Sequence, residues 1–317
     1  MTATRGLDTT RRIDATGVAS NLHISVRCPQ CERPRLPERM EQKFYVAPKR
    51  MSLALALLLR TCRVDPEFPG GQVNSVYFDT IDLDQHERSL SGELVKDKVR
   101  IRWYGEEHDP HRLSVDRDAL RPAPGDRVKV WLELKSRRGF SATKQRVSGS
   151  VPRARLAFPA LARGIVPPSV LLQTMAGFGF FPPGPIRPVI VISYSRRRFV
   201  EPFTGYRLSI DSHIRSSLLI PGRDWGEHGL ELPGAVVEVK CPVLHLPLAL
   251  RQLADIGSSW SRFSKYSGCL ESHDAERGTV SRLWPSGLIE DDPDALAWGW
   301  KAHQPHPALP SKNTKPN

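Results

Sequence analysis

No stretch of this chain is apolar for long. The longest such run, "LALALLL" from Leu53 to Leu59, falls far short of the ~20 residues a helix needs to cross a bilayer, so no membrane span is expected. Cysteine is scarce: 5 in 317 residues, an odd number without regular spacing. That argues against a disulfide framework and for a reducing compartment. The N-terminal "MTATRGLDTTRRID" lacks the apolar core of a secretory signal, and a cytoplasmic location is expected. "CPQC" (Cys28, Cys31) has the spacing of half a zinc site, but Cys62, Cys241 and Cys269 stand alone, so no zinc is expected.

Acidic residues are also in short supply. Lys and Arg number 46 against 34 Asp and Glu, giving a formal charge of +12 and a pI near 9.8. Such a balance predicts a polyanionic partner: nucleic acid, an anionic membrane or a phosphate-rich small molecule. Hydrophobic content of 39% describes a globular chain, and 28 Pro with 23 Gly suggest many turns.

Composition divides the chain into three parts. Residues 1–36 show no sustained periodicity and read as a largely disordered arm. Residues 37–271 carry the folded domain, and residues 272–317 form a polar, Pro-rich tail whose Trp284, Trp298 and Trp300 hint at docking. Within the domain, strands are expected at "MEQKFYV", "VNSVYFDT", "DKVRIRWYG", "VKVWLELKSR", "SATKQRVS", "PVIVISYSRRRFV", "YRLSIDSHI" and "AVVEVKC". Helices are expected at Pro48–Arg60, Pro168–Met175 and Leu246–Trp260. Many strands without regular βα alternation indicate an α+β, mainly antiparallel sheet or barrel.

The strands share a pattern. In "DKVRIRWYG", Lys98, Arg100 and Arg102 alternate with Val99, Ile101 and Trp103, so one face is basic and the other apolar. Arg39, Glu41 and Lys43 repeat it, as do Glu133 with Lys135, Lys144 with Arg146, Arg196 with Arg198, Arg207 with Asp211, and Glu238 with Lys240. Alternation alone does not say whether the charges face water or a lumen. Two features favour an inverted barrel with a charged lumen and helices packed outside it. The expected helices are strongly apolar and need a sheet face to cover, and the charges are poorly mixed in sign, which suits a polyanion. Arg and Lys grip phosphate oxygens, while carboxylates among them suit Mg2+ or Mn2+ bridging those phosphates. Each Glu could equally be an ion-pair partner of a neighbouring Lys.

The order "RMEQKFYV", "SVYFDT", "KVRIRWYG", "LELK", "KQRV", "ISYSRRRF", "YRLSID", "VVEVK", "FSKY" resembles the VTC domain, from Arg39 to Tyr266. That domain is the polyphosphate-polymerase branch of the triphosphate tunnel metalloenzymes, relatives of the CYTH proteins. The resemblance implies an antiparallel β-tunnel in which Lys43, Arg100, Arg102, Lys135, Lys144, Arg196 and Lys265 contact phosphates, with Arg207 as a further member. Of these, Arg100, Arg102, Arg196 and Lys265 would serve catalysis. Glu238 would hold the divalent ion, Mn2+ or Mg2+, with Glu41 and Glu133 as helpers. Arg39 stands where the wider superfamily carries the first Glu of a Glu-x-Glu-x-Lys pattern, as is usual in the VTC branch, which argues against a two-metal hydrolytic centre.

The expected activity is synthesis of inorganic polyphosphate from ATP with release of ADP. Hydrolysis of tripolyphosphate or a nucleoside triphosphate is the alternative on the same fold, and a non-catalytic polyphosphate or nucleotide sensor is a third. Nucleic acid is not expected as a partner, because the basic residues lack interleaved exposed aromatics. A phosphate nucleophile needs no general base, since its second pKa is ~6. His23, His86 and His213 are expected at the surface, and Ser264 is read as structural.

Overall fold

The computed structural model describes residues 23–25, 40–105, 126–139, 141–219, 229–241, 246–259 and 263–275. Cys28, Cys31, most of the N-terminal arm and the tail tryptophans lie outside these residues.

One antiparallel sheet of 11 strands dominates the described chain. In chain order its strands are β1 (His23–Ser25), β2 (Met40–Val46), β3 (Arg63–Val64), β4 (Gly70–Asp79), β5 (Val95–Tyr104), β6 (Arg127–Arg138), β7 (Ser141–Pro152), β8 (Arg187–Val200), β9 (Arg207–Leu218), β10 (Leu230–Cys241) and β11 (Ser258–Ser259). The path runs β1-β7-β6-β5-β4-β8-β9-β10-β2-β11, with β3 on β8. Among the described residues no backbone register joins β7 to β2, so the sheet curls without closing into the hydrogen-bonded barrel expected from sequence. Side chains bridge its two wings instead: Lys135 Nζ on β6 lies 3.4 Å from Glu41 Oε2 on β2.

Bulges on either side of β9 help the sheet to curl. One lies opposite β8 between Ser193 and Ser195, where His213 has φ 50°. The other falls between Leu232 and Ala235 of β10, where Gly234 has φ 76°. A Cβ at Gly234 would sit 2.2 Å from the Val46 carbonyl oxygen, so only glycine fits there. The extra residue at His213 also reverses which side chains of β9 face inward, bringing Asp211 and Ser216 to the same side. His213 itself is exposed and 3.1 Å from Glu231.

The outer face is apolar, as the alternation requires. Val99, Ile101, Trp103, Leu132 and Leu134 pack with Leu161 of α3 (Phe158–Leu161) and with Leu171 and Met175 of α4 (Pro168–Gly177). Phe44, Val46, Leu208, Ile210, Val237 and Val239 pack with Ala54, Leu57 and Leu58 of α1 (Met51–Thr61). Two expected helices therefore cover the sheet where the pattern placed them. The third does not hold together: Leu246–Trp260 yields a 3-10 turn at Leu248–Leu250, the short α5 (Leu253–Ile256) and strand β11. Pro247 restricts its start, and Gly257 leaves the helix in an extended conformation with a backbone approach that a Cβ would block at 2.7 Å.

Besides the four-residue α3, two further helices were not anticipated. In α2 (Asp84–Leu90), Asp79 accepts the backbone N–H groups of Thr80, Gln85 and His86. His86 is consequently buried at 4% exposure rather than on the surface, and burial pushes its imidazole down to about 4. In α6 (Lys265–Ala275) the departure is larger. This helix does not cover the outside of the sheet; it enters the curl and packs on the inward residues Tyr77, Tyr194, Ile214 and Leu218. Tyr266 stacks on Tyr77 at 5.1 Å and donates a 2.6 Å hydrogen bond to Asp79 Oδ2.

Candidate functional site

Strand register fixes which charged residues meet. Lys98 pairs with Lys135, Arg100 with Glu133, Glu133 with Arg146, and Lys135 with Lys144 across β5, β6 and β7. On the other wing Arg196 pairs with Asp211, and Glu238 pairs with Ser209 on one side and Lys43 on the other. Because each outward neighbour is tied into an apolar cluster, a one-residue slip would bury the charges against helices. The concave face is therefore densely cationic outside the apolar part that α6 covers.

Two ion-pair groups organise it. In the first, Arg100 Nε donates to Glu133 Oε2 at 2.8 Å, its Nη2 lies 2.7 Å from the same oxygen, and Lys144 Nζ lies 2.5 Å from Oε1. Arg100 Nη1 also donates to the Tyr77 hydroxyl at 3.1 Å, while Arg102 donates to Ser75 Oγ at 3.0 Å and to the Tyr194 hydroxyl at 3.2 Å. Burial alone would raise the Glu133 carboxyl, but Arg100, Arg102 and Lys144 hold it down to about 2.

The second group joins four residues from four elements. Arg196 grips Asp211 through two 2.6 Å hydrogen bonds and reaches Glu238 Oε2 at 3.1 Å. Lys265, the first residue of α6, lies 2.9 Å from Glu238 Oε1 and 2.6 Å from Asp211 Oδ2. Burial opposes charge on both Lys265 and Glu238, yet each partner overrides it, raising the lysine and holding the carboxylate well below its ordinary range. Cations and carboxylates are thus locked in place before any ligand arrives, a preorganisation that costs nothing at the moment of reaction.

Lys43 donates to the Phe263 carbonyl oxygen at 2.9 Å and lies 3.7 Å from Glu41. Glu41 stands diagonally across the β2–β10 pair from Glu238, since Lys43 faces Glu238 and Glu41 faces Lys240. Burial and Glu238 push the Glu41 carboxyl up, but the pull of Lys135, Lys43 and Lys240 prevails and holds it below its ordinary value. Arg207 lies exposed opposite Lys240 at the margin of this face, apart from both groups.

The structure thus brings Lys43, Arg100, Arg102, Lys135, Lys144, Arg196, Lys265, Glu41, Glu133 and Glu238 onto one concave face. Sequence reasoning did not assign a site role to Asp211, although its place beside Arg207 in the alternation was visible. Tyr77 and Tyr194 were also missed, because an inward aromatic reads as core. Lys98 was seen as part of the basic face but given no role. Its Nζ donates to Ser89 Oγ at 2.9 Å, and it faces Lys135, Lys43, Lys96 and Arg100.

Burial, with those cations around it, pushes Lys98 down to about 7 from an ordinary 10.5. Between those values the unfolded chain holds a proton that the folded protein lacks, so this residue makes stability rise with pH from about 7 upward. Lys98→Met is expected to remove that rise and to stabilise the ligand-free protein by about 2 kcal/mol at pH 7. Urea midpoints at pH 7 and pH 9 check both, and equal midpoints for variant and wild type at both values would refute the assignment.

Comparison with solved structures finds an adenylate cyclase candidate from Vibrio parahaemolyticus at 10% identity, covering 74% of this chain and 98% of that one, with a TM-score of 0.37. A second adenylate cyclase candidate, from Bacillus halodurans, is 12% identical, covers 80% and 96% of the two chains, and also has a TM-score of 0.37. No curated protein matches the chain. The family model of the VTC domain matches residues 38–154 and 181–273. Those two blocks contain every residue of both ion-pair groups and all the long strands that carry them, and the chain belongs to the VTC domain family.

Proposed function

We propose that this protein synthesises inorganic polyphosphate from ATP, releasing ADP. The observation that carries this reading is the preformed cationic face, where Lys43, Lys98, Arg100, Arg102, Lys135, Lys144, Arg196 and Lys265 confront Glu41, Glu133, Asp211 and Glu238. Cations exceed carboxylates, and a chain of phosphates supplies the missing negative charge.

The γ-phosphate would lie among Arg100, Arg102, Arg196 and Lys265, with its oxygens replacing part of what Glu133 and Glu238 now supply. Lys43, Lys98, Lys135 and Lys144 would hold phosphates of the growing polymer. A terminal phosphate oxygen of that polymer attacks the γ-phosphorus in line. The new P–O bond forms as the bond to the β–γ bridging oxygen breaks, and ADP leaves with the electron pair. The attacking oxygen is already ionised at neutral pH, so positioning and charge neutralisation suffice.

The VTC family implies a divalent cation, Mn2+ or Mg2+. Among the described residues no three acidic, His or Cys side chains cluster as a metal site, but Glu41 and Glu238 stand diagonal to one another. Two carboxylates fit an ion of this kind, which is held largely through substrate phosphates and water. When bound there it would neutralise phosphate charge. Glu133, on β6 away from the β2–β10 pair and bound to Arg100 and Lys144, would orient the arginine.

Incubation with ATP and Mn2+ or Mg2+, with and without a short polyphosphate primer, followed by phosphorus NMR, tests the reading. Internal polyphosphate signals growing in step with ADP are expected. Free phosphate without polymer would indicate a hydrolase, and binding without turnover would leave a polyphosphate sensor; either result refutes synthesis.

A further inference from the structure

On the concave face, beside Arg102 and just beyond it toward the end of β5, two aromatic rings join the charges. Trp131 is the cross-strand partner of Arg102, and Tyr104 follows Arg102 by two residues, about 7 Å along the strand. Their rings meet edge to face at 5.2 Å and 75°. Tyr104 is 41% exposed and Trp131 half-buried, whereas Trp103, on the opposite face of β5, is 2% exposed in the core. The exposed Lys129 places its ammonium 5.3 Å from the Trp131 ring centre. Neither inward ring belongs to an apolar cluster of the fold, so packing does not account for them.

We propose that Trp131 and Tyr104 form the seat for the base of the nucleoside triphosphate. This rests on the functional reading above and names the other end of the same site. A planar base stacks on aromatic faces whatever its hydrogen-bonding edge. The adjacent arginine then meets the phosphates of the same molecule, so a single mononucleotide spans both surfaces. Lys129, exposed and held by a cation–π contact, yields its place to the base and remains near the ribose and first phosphate. One aromatic pair beside a phosphate clamp suits a mononucleotide, and a nucleic acid strand would call for a series of such platforms.

Calorimetry on the full chain separates base from phosphate, using the β,γ-imido analogue of ATP and tripolyphosphate as two ligands. Trp131→Ala and Tyr104→Ala are each expected to weaken the analogue about tenfold, with tripolyphosphate affinity kept within about twofold. Retained tripolyphosphate binding also shows that the variants fold. Trp131→Phe should recover most of the loss. Equal weakening of both ligands, or of neither, overturns the seat, as does a wild-type protein that binds tripolyphosphate but not the analogue. A wild-type protein that binds neither ligand overturns the functional reading along with it.

Discussion

Arg196→Ala is expected to reduce phosphoryl transfer by about 10²–10³-fold, the usual loss on removing one preorganised donor from a site where charge is rearranged. It should also destabilise the fold by about 3–5 kcal/mol. Asp211 is 0% exposed and would keep only Lys265 as a cationic partner, while Glu238 would lose one of its two. The two losses have different cures. Adding Asp211→Ala removes the stranded carboxylate, so the double variant should regain most of the stability and none of the turnover. Denaturant midpoints and phosphorus NMR on both variants measure the two quantities independently. Recovery of activity together with stability would mean that Arg196 serves the fold alone.

Glu133 gives the second large effect, and its direction follows from its ionisation. Its folded-state pKa of about 2 lies below the ordinary 4.5. The carboxylate therefore contributes stability that is complete above about 4.5 and is lost as pH falls toward 2. A displacement of that size corresponds to about 3 kcal/mol for a carboxylate that is 1% exposed. Glu133→Gln is expected to lower stability at pH 7 by about that amount and to flatten the acid limb between those pH values. Thermal or urea unfolding from pH 7 to pH 2.5 reads both. An acid limb unchanged in the variant would show that another carboxylate governs it. Tripolyphosphate should offset the loss at pH 7, because its oxygens take over the two cations that Glu133 releases.

Much of this architecture was legible in the alternation of residues. A period of two over "DKVRIRWYG", with charge on one side and Val99, Ile101 and Trp103 on the other, requires a sheet whose faces differ, and the apolar helices α1 and α4 required one of those faces as their support. The lumen could be inferred from those two facts together. The ion-pair partners could not. Sequence placed Arg207 and Asp211 on one face without showing that Arg196 would close on Asp211, because the bulges around His213 set that register and one inserted residue leaves little trace in an alternating pattern.

Helix α6 marks the same boundary more sharply. Ser267, Glu271, Ser272 and His273 are all buried, yet nothing in "KYSGCLESHDA" reads as a buried helix, since hydrophobic periodicity reports only an apolar environment. Inside the curl Tyr266, Cys269 and Leu270 meet an apolar cluster while the polar residues beside them are enclosed as well, and periodicity is blind to that. By itself, then, the sequence determined the two unlike faces of the sheet, the cationic excess that demands a polyanion, and the motif order that places the chain in its family. The tertiary structure alone decided that the sheet curls without closing, that α6 carries Lys265 into the curl, and that Asp211 completes the Arg196 group. Those outcomes depend on bulges and on contacts between residues far apart in the chain, where the free energy of a charge is set by which other charges the fold brings beside it.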